Sequence, residues 1–269
     1  MIVQSAADGA AHFVIAMRQH TAFAGSLARN FGNDTFVGLS PQEPMQFIVD
    51  HHDQGWVELD AEAPQNPATG LPYNLTATPL PQIVSTSAGS PAFNAEHHPF
   101  SGLISSMHTY GLYNGRYGLT DKIFLDMIPD ELRASVDEML AAELERQADL
   151  KTALEASNPE QVSDEFTFHA YKQLQFFDTL SLHLHLNPAG SRGDTEFPNV
   201  PCSIGDDVVV SLVEHDDGVY ALDPYPFAVD GLDVFTEGRY LVPQPAGTDL
   251  GALLADTEIS VQHVRLIAA

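Results

Sequence analysis

The chain has 269 residues, enough to bury a sizeable core in one large domain or two modest ones. Its 37 acidic residues face 11 basic ones, a formal net charge of −26, with three lysines (Lys122, Lys151 and Lys172). Such a surface repels nucleic acid and anionic membranes, whose binding needs clustered Lys and Arg; it reflects a salty habitat that screens the field or selection for solubility. The single cysteine, Cys202, excludes an internal disulfide and a cysteine-based metal cluster. No basic leader segment precedes Arg18, and no apolar run approaches the roughly 18–20 residues of a membrane span. A cytoplasmic protein with a small-molecule substrate is the expectation, with no nucleic-acid or membrane partner.

In chain order, "HFVIA" (12–16) reads as a strand, and 18–31 as a helix with Ala24, Leu27, Ala28 and Phe31 on one stripe and Gly32 at its end. Ser40, Pro41 and Glu43 predict a capped helix start, with a Ser-x-x-Glu capping box, and the helix runs to about Asp53 before Gly55. The Pro-, Gly-, Ser- and Thr-rich stretch 60–96 reads as a long irregular excursion, a wall or lid with Trp56 and Tyr73 as lining candidates. Helices then follow from Pro99, over 128–157 and over 164–186. Beyond the Pro-rich "NPAGSRGDTEFPNVP" the texture changes: "DVVVSLVEHDDGVYAL" alternates like a hairpin about Asp217-Gly218, and "GRYLVP" and "ISVQHVRLIA" read as strands. The expected fold is mainly α, a helical body over 1–190 carrying a smaller β-rich section over 200–269.

Helical periodicity decides which polar residues face inward. Met45, Ile48 and Val49 mark a buried stripe whose next position is His52; Asp53 lies about 100° round on the same rim, and His51 points away. His20 sits four residues before Ala24 on the first helix's stripe. On the last long helix Leu174, Asp178, Leu182 and His185 share one face, and on the third helix His108 follows Ile104 by four. A buried carboxylate needs a cation or strong donors beside it. Three helices each bring an inward imidazole or carboxylate in a chain with few basic side chains, so a divalent ion, Fe, Mn, Zn or Mg, is the economical partner.

The ordered set of His20, the His52-Asp53 doublet and a distant Asp178 resembles the HD-domain superfamily of metal-dependent phosphohydrolases. More closely, "MRQHTAFAGSLARNFG", "HHDQGW", "GLISSMHTYGL", "LQFFDTLSLHL" and "DPYPF" resemble the domain-of-unknown-function 3891 family, over about residues 12–227. The resemblance implies an HD-like helical body in which His20, His52, Asp53 and Asp178 hold one or two ions. It draws further histidines from between the doublet and the last Asp, where His97, His98 and His108 are candidates and His108 ranks above His98. Arg18, Arg116 and Lys172 are scattered rather than clustered beside the doublet, and solvated surface positions are expected for at least two of them.

The function expected on this footing is hydrolysis of a small phosphoester or related molecule. Asp53 would ligate metal and orient water, and His108 or His98 would donate a proton to the leaving group. A di-iron oxygenase on the same kind of scaffold and a non-catalytic, metal-stabilised binding or regulatory module are the alternatives. Cys202, beside Asp206 and Asp207, should have a raised pKa and no catalytic role.

Overall fold

Strands form at both ends of the chain and helices fill its middle; the computed structural model describes residues 1–7, 9–215 and 218–269. After β1 (Ile2–Val3) and β2 (His12–Ile15) come α1 (Met17–Arg29), α2 (Gln42–His51), α3 (Val57–Glu62), α4 (Leu80–His97) and α5 (Pro99–Tyr113). A single turn, α6 (Gly115–Gly118), leads to α7 (Asp130–Glu155) and α8 (Asp164–Leu186). The C-terminal part adds β3 (Thr195–Ser203), β4 (Asp206–Glu214), β5 (Val219–Asp223), β6 (Leu232–Leu241), α9 (Leu250–Asp256) and β7 (Ser260–Ala268). No helix of the described residues is long and apolar enough to cross a membrane.

The seven strands make one curled mixed sheet in the order β1-β2-β6-β7-β5-β4-β3, parallel between β5 and β7 and antiparallel elsewhere. This corrects the expected mainly α, HD-domain-like body with a smaller C-terminal β section. About half the chain is helical, but the sheet is a large half-barrel and recruits the N-terminal strands, with Phe13 opposite Tyr240 on β6. A pairing across more than two hundred residues leaves no local trace, so "HFVIA" shows itself as a strand without showing its partner. The hairpin strands pair as expected, Leu212 opposite Leu222, while Asp217 of its turn lies outside the described residues. The "DPYPF" segment docks on the end of α1: Gly32 N–H donates to the Pro226 carbonyl and Ala228 N–H to the Asn30 carbonyl.

One core runs through helices and sheet, joining Phe23, Ile48, Leu103, Tyr171 and Phe177 to Val210, Tyr220, Val264 and Leu266. Two local expectations also change. The Ser40 capping box does not form: the helix starts at Gln42 with Pro41 as N-cap and no side-chain capping bond, and it ends at His51. Much of the 60–96 excursion is α4, whose buried face consists of Thr86, Ser90, Pro91 and Asn94. Small residues let α4 lie against its neighbours at close range: a Cβ on Gly55 would collide with the Thr86 carbonyl, and one on Gly102 with Ala95.

Candidate metal centre

Each proposed ligand is aimed inward by the register of its helix. His20 lies on α1 among Phe23, Ala24 and Leu27 and is fully buried. His52 caps the C-terminus of α2 and is 1% exposed. Asp178 stands in the apolar middle of α8 between Leu174 and Leu180. One ligand atom from each of the three lies within 4.8 Å of the other two.

Hydrogen bonds fix the ring orientations. His52 Nδ1–H donates to the Val49 carbonyl at 2.9 Å, which turns Nε2 toward the centre. The Ser181 hydroxyl donates to the His20 main-chain carbonyl at 3.2 Å and lies 2.8 Å from His20 Nδ1, which turns His20 Nε2 toward Asp178. His20 Nε2 is 3.3 Å from Asp178 Oδ1, and His52 Nε2 is 3.7 Å from that oxygen and 3.7 Å from Asp53 Oδ2. Those His52 separations exceed a hydrogen bond, and His52 Nε2 is a buried atom without a partner.

That arrangement fits a divalent ion. Bonds of roughly 2.0–2.2 Å to nitrogen and oxygen place adjacent ligand atoms about 3.0–3.5 Å apart, within a few tenths of an ångström of the two spacings to Asp178 Oδ1. Imidazoles held by a second hydrogen bond through their other ring nitrogen are the usual form of histidine ligands. Asp53 borders the centre without joining the group of three, and its carboxylate faces His52.

The electrostatics are those of a buried cluster. Burial is the largest influence on His52 and disfavours its charge, but the Asp53 and Asp178 carboxylates outweigh it and raise the group to about 9. For Asp178, burial is opposed by the imidazoles of His20 and His52, which hold it well below the carboxylate range. Burial dominates at Asp53 and raises it.

His108 faces the same space from α5, its ring edge-on to His52 with 5.5 Å between centroids. Gln175 Nε2 donates to His108 Nδ1 at 2.7 Å, so the neutral ring carries its proton on Nε2. Burial pushes His108 down to about 3. The other histidines lie elsewhere. His98 is the N-cap of α5, its Nδ1 accepting the Phe100 amide, and His97 stacks on Phe47 and pairs with Glu43. His51 also stacks on Phe47, and His185 is buried behind His20, its Nδ1 3.4 Å from that of His20.

A pocket of about 380 Å³ opens on the centre, lined at one end by His52, Asp53, His108 and Asp178. Trp56 lines it as expected, whereas Tyr73 borders a separate small cleft; α4 supplies Ile83, Ser87 and Ser90 to the wall. Solvated positions were expected for at least two of the scattered cations, but only Arg18 is exposed: Lys172 is buried and pairs with Asp207, and Arg116, half-buried, lines this pocket. Gln175 and Ser181 escape a reading of the sequence for ligands, and Arg116 stands out there only as one scattered cation. Gln175 and Ser181 are each three residues from Asp178, so extending its stripe in both directions would have found them.

A curled mixed sheet backed by helices, with a buried His-His-Asp cradle bordering a largely apolar pocket, defines a protein with a candidate metal centre. The chain belongs to the DUF3891 family, described as "Protein of unknown function", whose family model matches residues 1–243. No curated protein and no solved structure matches it.

Proposed function

We propose that the protein is a metal-dependent hydrolase of the HD class, acting on a small phosphoester or related molecule, with one divalent ion (Fe, Mn, Zn or Mg) held by His20, His52 and Asp178. The observation that carries this reading is His52 Nε2, buried, partnerless and aimed between two carboxylates. An uncompensated nitrogen there is costly unless a cation meets it. The order His20, His52-Asp53, Asp178 supports the HD relationship.

A divalent ion bound there supplies Lewis acidity, polarising a phosphoryl oxygen and making water a better nucleophile. The protein's own groups do the rest. Asp53, bordering the centre with a raised pKa, orients the attacking water and accepts its proton. His108, kept neutral by burial, offers Nε2–H as a hydrogen bond to the departing oxygen; this role needs no charged imidazole. Trp56 and Ile83 of α4 give the pocket an apolar wall beside the reacting groups. Among the described residues one group of three ligands forms, which favours a single-ion hydrolase over the di-iron oxygenase.

The test is turnover on phosphomonoester and phosphodiester panels by protein purified without chelator. Chelation should abolish it and added divalent metal restore it. Thiol alkylation should leave it unchanged, because Cys202 is buried and burial, with Asp206 and Asp207, pushes its thiol up. Turnover that survives metal stripping and dies on alkylation contradicts the reading; a fully loaded protein inert on both panels supports the non-catalytic module.

A further inference from the structure

The pocket bordering the candidate metal centre also holds a cationic side chain. Arg116 lines it, half-buried, together with Leu75, Ile83, Leu112, Phe124 and Leu182. Arg29, Arg133, Arg146 and Arg265 each pair with an Asp or Glu. The Arg116 carbonyl accepts from Leu119 N–H, but its guanidinium has no ion pair and no hydrogen bond among the described residues, although the chain carries 37 acidic side chains that could have provided one.

Its backbone is held in an uncommon conformation. Gly115, Arg116, Tyr117 and Gly118 form a left-handed turn, with φ of 62°, 51°, 57° and 88°. The two glycines adopt such angles freely; Arg and Tyr do so at a cost that persists where the surroundings dictate it and clusters at ligand-binding sites. The surroundings here are specific: Tyr117 packs edge-on against Tyr171 at 5.2 Å, and a Cβ on Gly115 would meet the Thr120 carbonyl at 2.8 Å. The turn therefore holds the Arg116 backbone beside the pocket, between it and a neighbouring pocket lined by Lys172 and His183 that Arg116 also borders.

We infer that the pocket takes an amphipathic anion, with its apolar body along the Leu75, Ile83, Leu112 and Phe124 wall and a single oxyanion, carboxylate or phosphate, on Arg116. This rests on the pocket being the substrate site proposed above. A guanidinium recognises either oxyanion through paired N–H donors.

The experiment measures binding of octanoate, octyl phosphate and octanol by calorimetry to wild-type protein and to R116Q and R116K, each metal-loaded and metal-free, with metal content read by elemental analysis. Wild type should bind at least one of the two anions tenfold or more tighter than octanol in both metal states. R116Q should lose that preference and keep its metal, and R116K should retain part of it. The preferred anion identifies the oxyanion. Equal affinity for octanol and both anions in wild type, or an unchanged preference in R116Q with native circular dichroism, overturns the inference. Wild-type protein without metal, or binding without hydrolysis of octyl phosphate, counts against the hydrolase reading and leaves the Arg116 comparison intact.

Discussion

Ser181 does for His20 what the Val49 carbonyl does for His52: it occupies the outward ring nitrogen and turns the other toward the centre. Loss of such a support costs metal affinity about 10–100-fold. S181A should therefore bind metal more weakly by that factor, measured by competition with a chromophoric chelator, without loss of fold; unchanged affinity would show the orientation of His20 to be set by packing alone. A second residue-scale expectation concerns acid stability. His169 is buried on α8, and burial lowers its pKa in the native state. The unfolded chain protonates this ring near pH ~6.5, so the native state binds fewer protons below that value. Its contribution is present above pH ~6.5 and is lost as the pH falls toward the lower native pKa. H169N should show a shallower fall in Tm than wild type between pH 7 and 5. The facing of His20, His52 and Asp178 was legible because each sits on a stripe of apolar residues. Arg116 was not, because its placement depends on a left-handed turn that only "GRYG" hints at, where isolated glycines usually mean an ordinary loop end.

α4 shows why composition misleads at the scale of elements. Its Ser, Thr, Gly and Pro content is that of a loop, yet the same residues form the buried side of a helix pressed onto the turn carrying Gly55 and Trp56 and onto α5. Gly55 N–H also donates to Ser90 Oγ at 3.0 Å. G55A would force α4 away, and overpacking of this kind costs roughly 1–3 kcal/mol. A lowered Tm is expected, with weaker metal binding because His52 and Asp53 lie just before the turn; wild-type values for both would refute the close packing. β3 was missed for the opposite reason. Pro198 and Pro201 read as a linker, but β3 is an edge strand, with register shifts between Phe197 and Val200 and between Pro201 and Ser203, where proline is tolerated. The long helices α7 and α8 lie within two residues of their expected limits.

For the whole molecule, the sheet gathers strands from the first fifteen residues and from the last seventy-five, and the helices that bear the ligands pack on it through one core. The α-rich reading came from counting elements in sequence, which weighs β1 and β2 as isolated fragments. Only the pairing of β2 with β6, and of β1 with β2, shows them to be the far edge of a large sheet. The centre unites α1, α2 and α8 from opposite ends of that order, so the ion claimed here is also a cross-link between distant segments. The claim is tested most directly by elemental analysis of protein purified without chelator, comparing wild type with H52A, D178A and H51A. The account predicts about one divalent ion per chain in wild type and in H51A, whose ring stacks on Phe47 outside the centre, and next to none in H52A and D178A. Wild-type protein without metal, or equal metal content in all four proteins, would contradict it.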